Sequence, residues 1–195
     1  PRNRDSNYPY RFDSYFYYLT GFDEPEAVFV VIAENQQGNA EQILFCREKN
    51  LEREIWDGFR YGPDAAREQF NFDGAYPISQ LEEMMPKLLA NQSIVYTMIG
   101  QDLAWDTQMT GWINRVREQS RSGVSAPDTL ADVRKILDEM RLFKDEYELT
   151  LMRQAAKIAA DAHRRAMKYA RPNLFEYEIE AELLHEFRRQ GAYAP

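Results

Sequence analysis

Cysteine occurs once and histidine twice among 195 residues, and these shortages exclude more chemistry than any motif supplies. A single thiol, Cys46, cannot close an internal disulfide, which fits a reducing compartment. It follows the apolar run Ile43-Leu44-Phe45 with no histidine near it in sequence, so it reads as a buried, inert thiol rather than a nucleophile. His163 and His185 belong to no HExxH motif or Cys/His cluster, and a zinc site needs three or four converging ligands. His185 is expected at a surface or interface, and His163, beside an alanine stripe, in a core or semi-buried structural position. The chain also lacks G-x-S-x-G, a P-loop and G-x-G-x-x-G, which leaves acyl, phosphoryl and hydride transfer without a basis in sequence. No apolar stretch reaches the ~20 residues of a membrane span, and no basic-then-apolar leader is present. The expectation is a cytoplasmic, soluble protein with no membrane partner.

Positive charge is the other scarcity. The formal net charge is -8, with 19 acids against 12 bases up to Pro127 and 13 against 12 from Asp128 onward. No Lys/Arg-rich patch stands out, so nucleic acid is not an expected partner. Hydrophobic residues at 44% and charged residues at 29% are ordinary for a globular chain and exclude extended disorder.

What is abundant is aromatic. Eight of the fifteen residues from Tyr8 to Phe22 carry rings, against 13% in the whole chain. Interrupted by Arg11 and Asp13, the run suits either a core segment with wet edges or a wall against another surface, because each tyrosine buries apolar area while its hydroxyl needs a partner. Behind it, Gly21 to Glu26 is a turn rich in breakers and acids, and Ala27 to Ala33 is a continuous apolar run that reads as a strand buried on both faces.

Periodicity divides the chain in two. In the first part, strands are predicted at 27–33, 42–46 and 94–97, and helices at 79–90 and 102–119, the latter with Leu103, Met109, Trp112, Ile113 and Val116 on one face. Gly62-Pro63-Asp64 and Ala75-Tyr76-Pro77 read as loops. This is α/β patterning with a mixed sheet. Arg121 to Asp128 reads as the linker, giving domains 1–127 and 128–195. Beyond it three helices are predicted, over 129–141, from a capping box at Asp145/Glu148, and from Asn173 with Glu176, ending at Gly191. The middle helix carries an alanine-rich stripe of Leu149, Met152, Ala155, Ala156, Ala159, Ala162, Ala166 and Tyr169 that has no visible partner in the chain. Glu176, Glu178, Glu180 and Glu182 are spaced around a helix and read as a solvated charge run, not a metal site.

Glu54-Ile55-Trp56-Asp57-Gly58-Phe59-Arg60-Tyr61-Gly62 reads as an irregular loop. A tryptophan there is either a contact residue, as binding groups on loops often are, or a plug for the domain's own core.

The runs Asp5 to Arg11, Tyr17 to Ala27, Glu54 to Gly58, Met140 to Lys144, Ala162 to Met167 and His185 to Gly191 occur in an order and at a spacing that resemble bacterial aminopeptidase P, the Xaa-Pro aminopeptidase of the creatinase/prolidase group of M24 metallopeptidases. The resemblance covers nearly the whole chain. It implies an N-terminal creatinase/prolidase-type α/β domain, a mixed sheet flanked by helices with its first strand missing, followed by the opening helices of an incomplete pita-bread catalytic domain. It implies two divalent metal ions, usually manganese, in the full-length enzyme, held by two Asp, one His and two Glu. All five match positions beyond this chain, so no catalytic or metal-ligating residue is expected in it and none of the metal is bound by it alone. The implied partners are peptides with an Xaa-Pro N-terminus and further copies of the same chain, as a dimer or tetramer. Trp56 matches a tryptophan whose loop reaches toward a neighbouring subunit's active site; Asp5 and Arg121 match polar positions that organise hydrogen bonds near it. A non-catalytic pita-bread-related binding module and a prolidase-type dipeptidase are the alternatives.

Overall fold

The structure is a computed structural model describing residues 8–33 and 39–192. Asp5 lies outside the described residues. The chain folds as two compact units, Pro1–Lys135 and Ile136–Pro195.

The first unit is organised around one strand. β2 (Glu41–Cys46) lies between β1 (Val28–Ile32), which pairs antiparallel to it, and β3 (Gly74–Pro77), which pairs parallel. Side chains alternate along a strand, so Ile43 and Phe45 face one core and Leu44 and Cys46 the other. The first core holds Leu81, Met85 and Leu89 of α4 (Leu81–Leu89) and Met109, Trp112, Ile113 and Val116 of α5 (Leu103–Arg117). The second holds Phe22, Ala66 and Phe72. The strand buried on both faces is therefore β2 and not the β1 run expected from 27–33. β1 is an edge strand whose Val31 is 55% exposed, while Val28, Val30 and Ile32 pack against the first core and Phe29 against the second.

Several local expectations are corrected. Asp13 accepts hydrogen bonds from the backbone N–H groups of Tyr15 and Phe16, 2.9 Å each, and opens an unforeseen helix α1 (Ser14–Thr20) that stops at left-handed Gly21. Pro63 begins α3 (Pro63–Phe70) at a first-turn position where its missing N–H costs nothing, so the loop expected there is a helix. Ala75-Tyr76-Pro77 belongs to β3, with Pro77 at the strand's end. Leu103, placed on the buried stripe by its spacing, is 80% exposed at the first turn of α5.

Residues 129–132 are strand β5 (Thr129–Asp132), not helix, because they pair parallel with β4 (Ile94–Thr97). Asp132 then accepts the Arg134 N–H at 2.9 Å as α6 (Arg134–Leu142) begins. The expected linker is tied to the first unit, with the Asn91 N–H donating to Ser125 O at 2.8 Å and the Asp128 N–H to Ser93 O at 3.3 Å. The units divide at 135/136, eight residues after Pro127.

In the second unit, α7 (Glu146–Tyr169) and α8 (Glu176–Arg189) pack through Ile158, Ala162 and Phe187, with Ala159 and Leu183 beside them. The Asp145/Glu148 capping box is formed, at 2.7 and 2.9 Å. α8 starts at Glu176, where the Glu178 carboxylate accepts the Phe175 N–H at 2.9 Å, so the signal expected at Asn173/Glu176 lies at 175/178. Of the predicted α7 stripe, Met152, Ala155 and Ala156 are exposed. Glu186 is 4% exposed and paired with Arg189 at 2.7 Å and Arg165 at 3.6 Å.

Candidate functional site

Between β2 and α3 the chain makes an excursion that begins at Glu48 and returns at Tyr61. Its centre is α2 (Leu51–Asp57), a helix capped by Asn50, whose side-chain oxygen accepts the Arg53 N–H at 3.0 Å. The expected irregular loop is thus a short helix followed by a sharp exit. That exit uses Gly58 (φ 84°, ψ 177°) and Gly62 (φ 74°, ψ 163°), a backbone region that essentially only glycine occupies. At Gly62 the room is missing as well, since a Cβ would lie 3.1 Å from Lys49 Cβ and N.

No residue of α2 is buried. Trp56 is 86% exposed, and Leu51, Ile55 and Phe59 around it are also open to solvent. Leu51 and Ile55 are four residues apart on α2 and share one helical face, while Trp56 lies beside them and Phe59 follows the exit at Gly58. A tryptophan in its own domain's core would be covered, and the core-plug alternative is excluded.

The base of the projection is polar and closed. Lys49 Nζ donates to Arg60 O at 2.7 Å and to Glu54 Oε2 at 3.1 Å, and lies 4.0 Å from the centre of the Phe59 ring. Arg60 Nη2 pairs with Asp57 at 2.8 Å. Glu24, 7% exposed, accepts the Tyr61 N–H at 2.6 Å on one oxygen and Arg47 Nη2 at 3.3 Å on the other. Tyr10 OH donates to Glu24 O at 3.3 Å, and burial together with Asp23 pushes the Tyr10 phenol up. Rings continue the connection. Tyr61 stands edge-on to Phe59 at 5.0 Å and Phe70 at 5.2 Å, and Phe22 lies 5.8 Å from Tyr61 and 6.5 Å from Phe16. The aromatic run is accordingly a core segment with wet edges: Phe22 is wholly buried, while Tyr8, Tyr10 and Tyr17 remain exposed.

The other candidate residues are not drawn into this cluster. Arg121 occupies an exposed 3₁₀ turn, Ser120–Ser122, and no hydrogen bond or ion pair among the described residues joins it to α2. His185 is exposed as expected; His163 is exposed too, contrary to the expected semi-buried position, because α7 turns that face outward. Cys46 is buried, and desolvation followed by the nearby Glu24 charge pushes its thiol up to about 11. Glu24, Arg47 and Tyr61 had no sequence signal, since Glu24 reads there as one more acid in a breaker-rich turn.

A shallow depression on α5, lined by Leu103, Asp106, Thr107, Thr110, Gly111 and Asn114, offers one carboxylate, Asp106, which accepts the Gly100 N–H at 2.9 Å. Among the described residues no group of three or more His, Cys, Asp or Glu side chains could hold a metal ion, and no helix is long and apolar enough to cross a membrane. The donors around the projection therefore do not fit a metal pair.

Residues 1–96 match the family model of the aminopeptidase P N-terminal domain, and residues 150–195 that of metallopeptidase family M24. The chain is 42% identical over 194 residues to the Xaa-Pro aminopeptidase of Escherichia coli strain K12, covering 100% of this chain and 44% of that protein. The solved Pseudomonas aeruginosa aminopeptidase PepP matches with a TM-score of 0.93 at 44% identity over 98% of this chain and 43% of its own. Zn-substituted Escherichia coli aminopeptidase P in complex with product matches with a TM-score of 0.92 at 41% identity, covering 98% of this chain and 43% of that one. The chain thus spans less than half the length of the relatives it matches. Its first 96 residues, its last helices and its whole-length similarity agree, and the chain belongs to the aminopeptidase P family.

Proposed function

We propose that this chain is part of a cytoplasmic, homo-oligomeric, metal-dependent aminopeptidase that releases the N-terminal residue from peptides with proline in second position. The observation that carries the reading is identity of 42% along all of the chain to an Xaa-Pro aminopeptidase. In this reading the first unit is the N-terminal aminopeptidase P domain and the second opens the catalytic domain, whose two divalent ions are manganese. Such a metal pair activates a water-derived nucleophile and polarises the scissile carbonyl. No part of that step is assigned to the residues of this chain.

What this chain contributes is the projection bearing Trp56, which contacts a second copy of the enzyme beside its active site. Its near-complete exposure, on a helix that buries nothing of its own, supports that role. Asp5 and Arg121 are proposed as supporting polar positions. The test is peptide hydrolysis by the full-length protein loaded with Mn²⁺. Release of the first residue from an Xaa-Pro-Yaa tripeptide, with little from an Xaa-Pro dipeptide and none by residues 1–195 alone, is expected. Preference for the dipeptide would make the enzyme a prolidase, and no cleavage of either would make it a binding module.

A further inference from the structure

We propose that Glu24 is a positioning residue for Trp56, one carboxylate that pins both stems of the 48–60 excursion. The inference rests on the reading of Trp56 as a contact beside a neighbour's active site. Its physical basis is that α2 buries no residue and so gains no apolar burial to hold it against the domain. The orientation of such a helix is set at its two ends.

The bonds within the excursion fix its shape alone. Lys49 reaches Glu54 and Arg60 O, and Arg60 reaches Asp57, all of them inside the segment or at its stems. Attachment to the domain body falls to the stems. Arg47, where β2 ends, gives its Nη2 to one Glu24 oxygen at 3.3 Å; Tyr61, where the chain returns, gives its N–H to the other at 2.6 Å. Glu24 itself is held by the turn after Phe22, a residue with no exposure at all. A buried ion pair is weak support for stability as such, because desolvation offsets its attraction. Two divergent acceptor oxygens that meet both stems are instead a device for geometry. Glutamine keeps one acceptor oxygen for Tyr61 but presents an amide and no charge to Arg47; alanine removes both contacts.

The experiment uses the full-length protein. Hydrogen exchange is measured in peptides covering 50–61 and, as an internal control, 43–46 and 74–77, and kcat/KM is measured for Glu24→Ala, Trp56→Ala and the double variant. Exchange over 50–61 is expected to rise about tenfold in Glu24→Ala while the β2 and β3 peptides stay protected. The loss in kcat/KM is expected not to add to that of Trp56→Ala, as holds for residues acting through one another. Should Glu24→Ala unfold the protein, Glu24→Gln reads the same quantities. Unchanged or uniformly raised exchange overturns the proposal, as does full additivity of the two kinetic losses. If Trp56→Ala leaves kcat/KM unchanged, the Trp56 reading has failed, and the exchange pattern alone then decides the positioning role.

Discussion

Replacing Trp56 by alanine in the full-length protein separates contact from packing, because the two roles predict opposite pairs of numbers. With 86% of the side chain exposed and no buried residue in α2, truncation removes almost nothing from the domain's own core. Surface changes of this kind stay within about 0.5 kcal/mol, a Tm shift of under about 1 °C for a protein more than twice the length of this chain. A core tryptophan would cost about 3–5 kcal/mol and lower Tm by about 3–5 °C. In the proposed contact between copies the ring is the largest apolar group on the projection. About 200 Å² covered at about 25 cal/mol per Å² sets an upper bound of about 5 kcal/mol, and truncations at contact hot spots run about 2–4 kcal/mol. At 1.4 kcal/mol per decade, kcat/KM on an Xaa-Pro-Yaa peptide should fall about 30-fold or more. Differential scanning fluorimetry and steady-state kinetics on one preparation read both quantities. A Tm lowered by about 3–5 °C with unchanged kcat/KM would refute the reasoning.

The remaining predictions address the frame that carries the projection. Gly62→Ala should lower stability by about 1–3 kcal/mol, since it forces a side chain into a glycine-only backbone region 3.1 Å from Lys49, and urea melts with the same variant at exposed, helical Gly111 as a control would register it. Cys46, its thiol near 11, should resist alkylation at pH 8 until the chain is denatured; because its folded value is raised, the stability it confers is present below pH ~8.5 and lost as pH rises toward 11, which alkaline melts of Cys46→Ala against the parent would show. Glu82 accepts the Trp112 Nε1–H at 2.8 Å, and hydrogen bonds from Gln108 and then Trp112 hold its carboxyl below the usual range. Its contribution is thus present above pH ~4.3 and lost as pH falls through the folded value, and at pH 7 Glu82→Ala should cost about 1 kcal/mol in thermal melts while Glu82→Gln, which keeps an acceptor oxygen, costs less.

Elements with regular periodicity are legible in the amino-acid sequence. The α5 stripe of Met109, Trp112, Ile113 and Val116 and the α4 face are buried as the 3.6-residue period requires, and strands 42–46 and 94–97 lie where their apolar runs put them. Sequence and structure part where a residue's effect depends on a distant partner. Thr129 to Asp132 is helical by its neighbours and a strand by its pairing with Ile94 to Thr97, a contact across more than thirty residues. The run at 27–33 reads as fully buried, yet its place at the sheet's edge leaves Val31 exposed. Within the site, Trp56 is conspicuous through its residue type and its glycine-flanked surroundings. Its exposure is not legible, because aromatic residues bury or project according to the surface around them. Glu24 is invisible for a related reason: a carboxylate joining stems 23 and 37 residues away has no local signature.

Subunit complementation tests most directly whether Trp56 serves a neighbouring subunit. Two forms of the full-length chain would be co-expressed, one with Trp56→Ala and an intact metal site, the other with Trp56 intact and its metal ligands removed. Each alone should be nearly inactive on an Xaa-Pro-Yaa peptide. If Trp56 acts across the contact between copies, mixed assemblies regain activity, because some intact metal sites then face an intact Trp56. Mixed assemblies no more active than their separate components would contradict it and confine Trp56 to its own subunit.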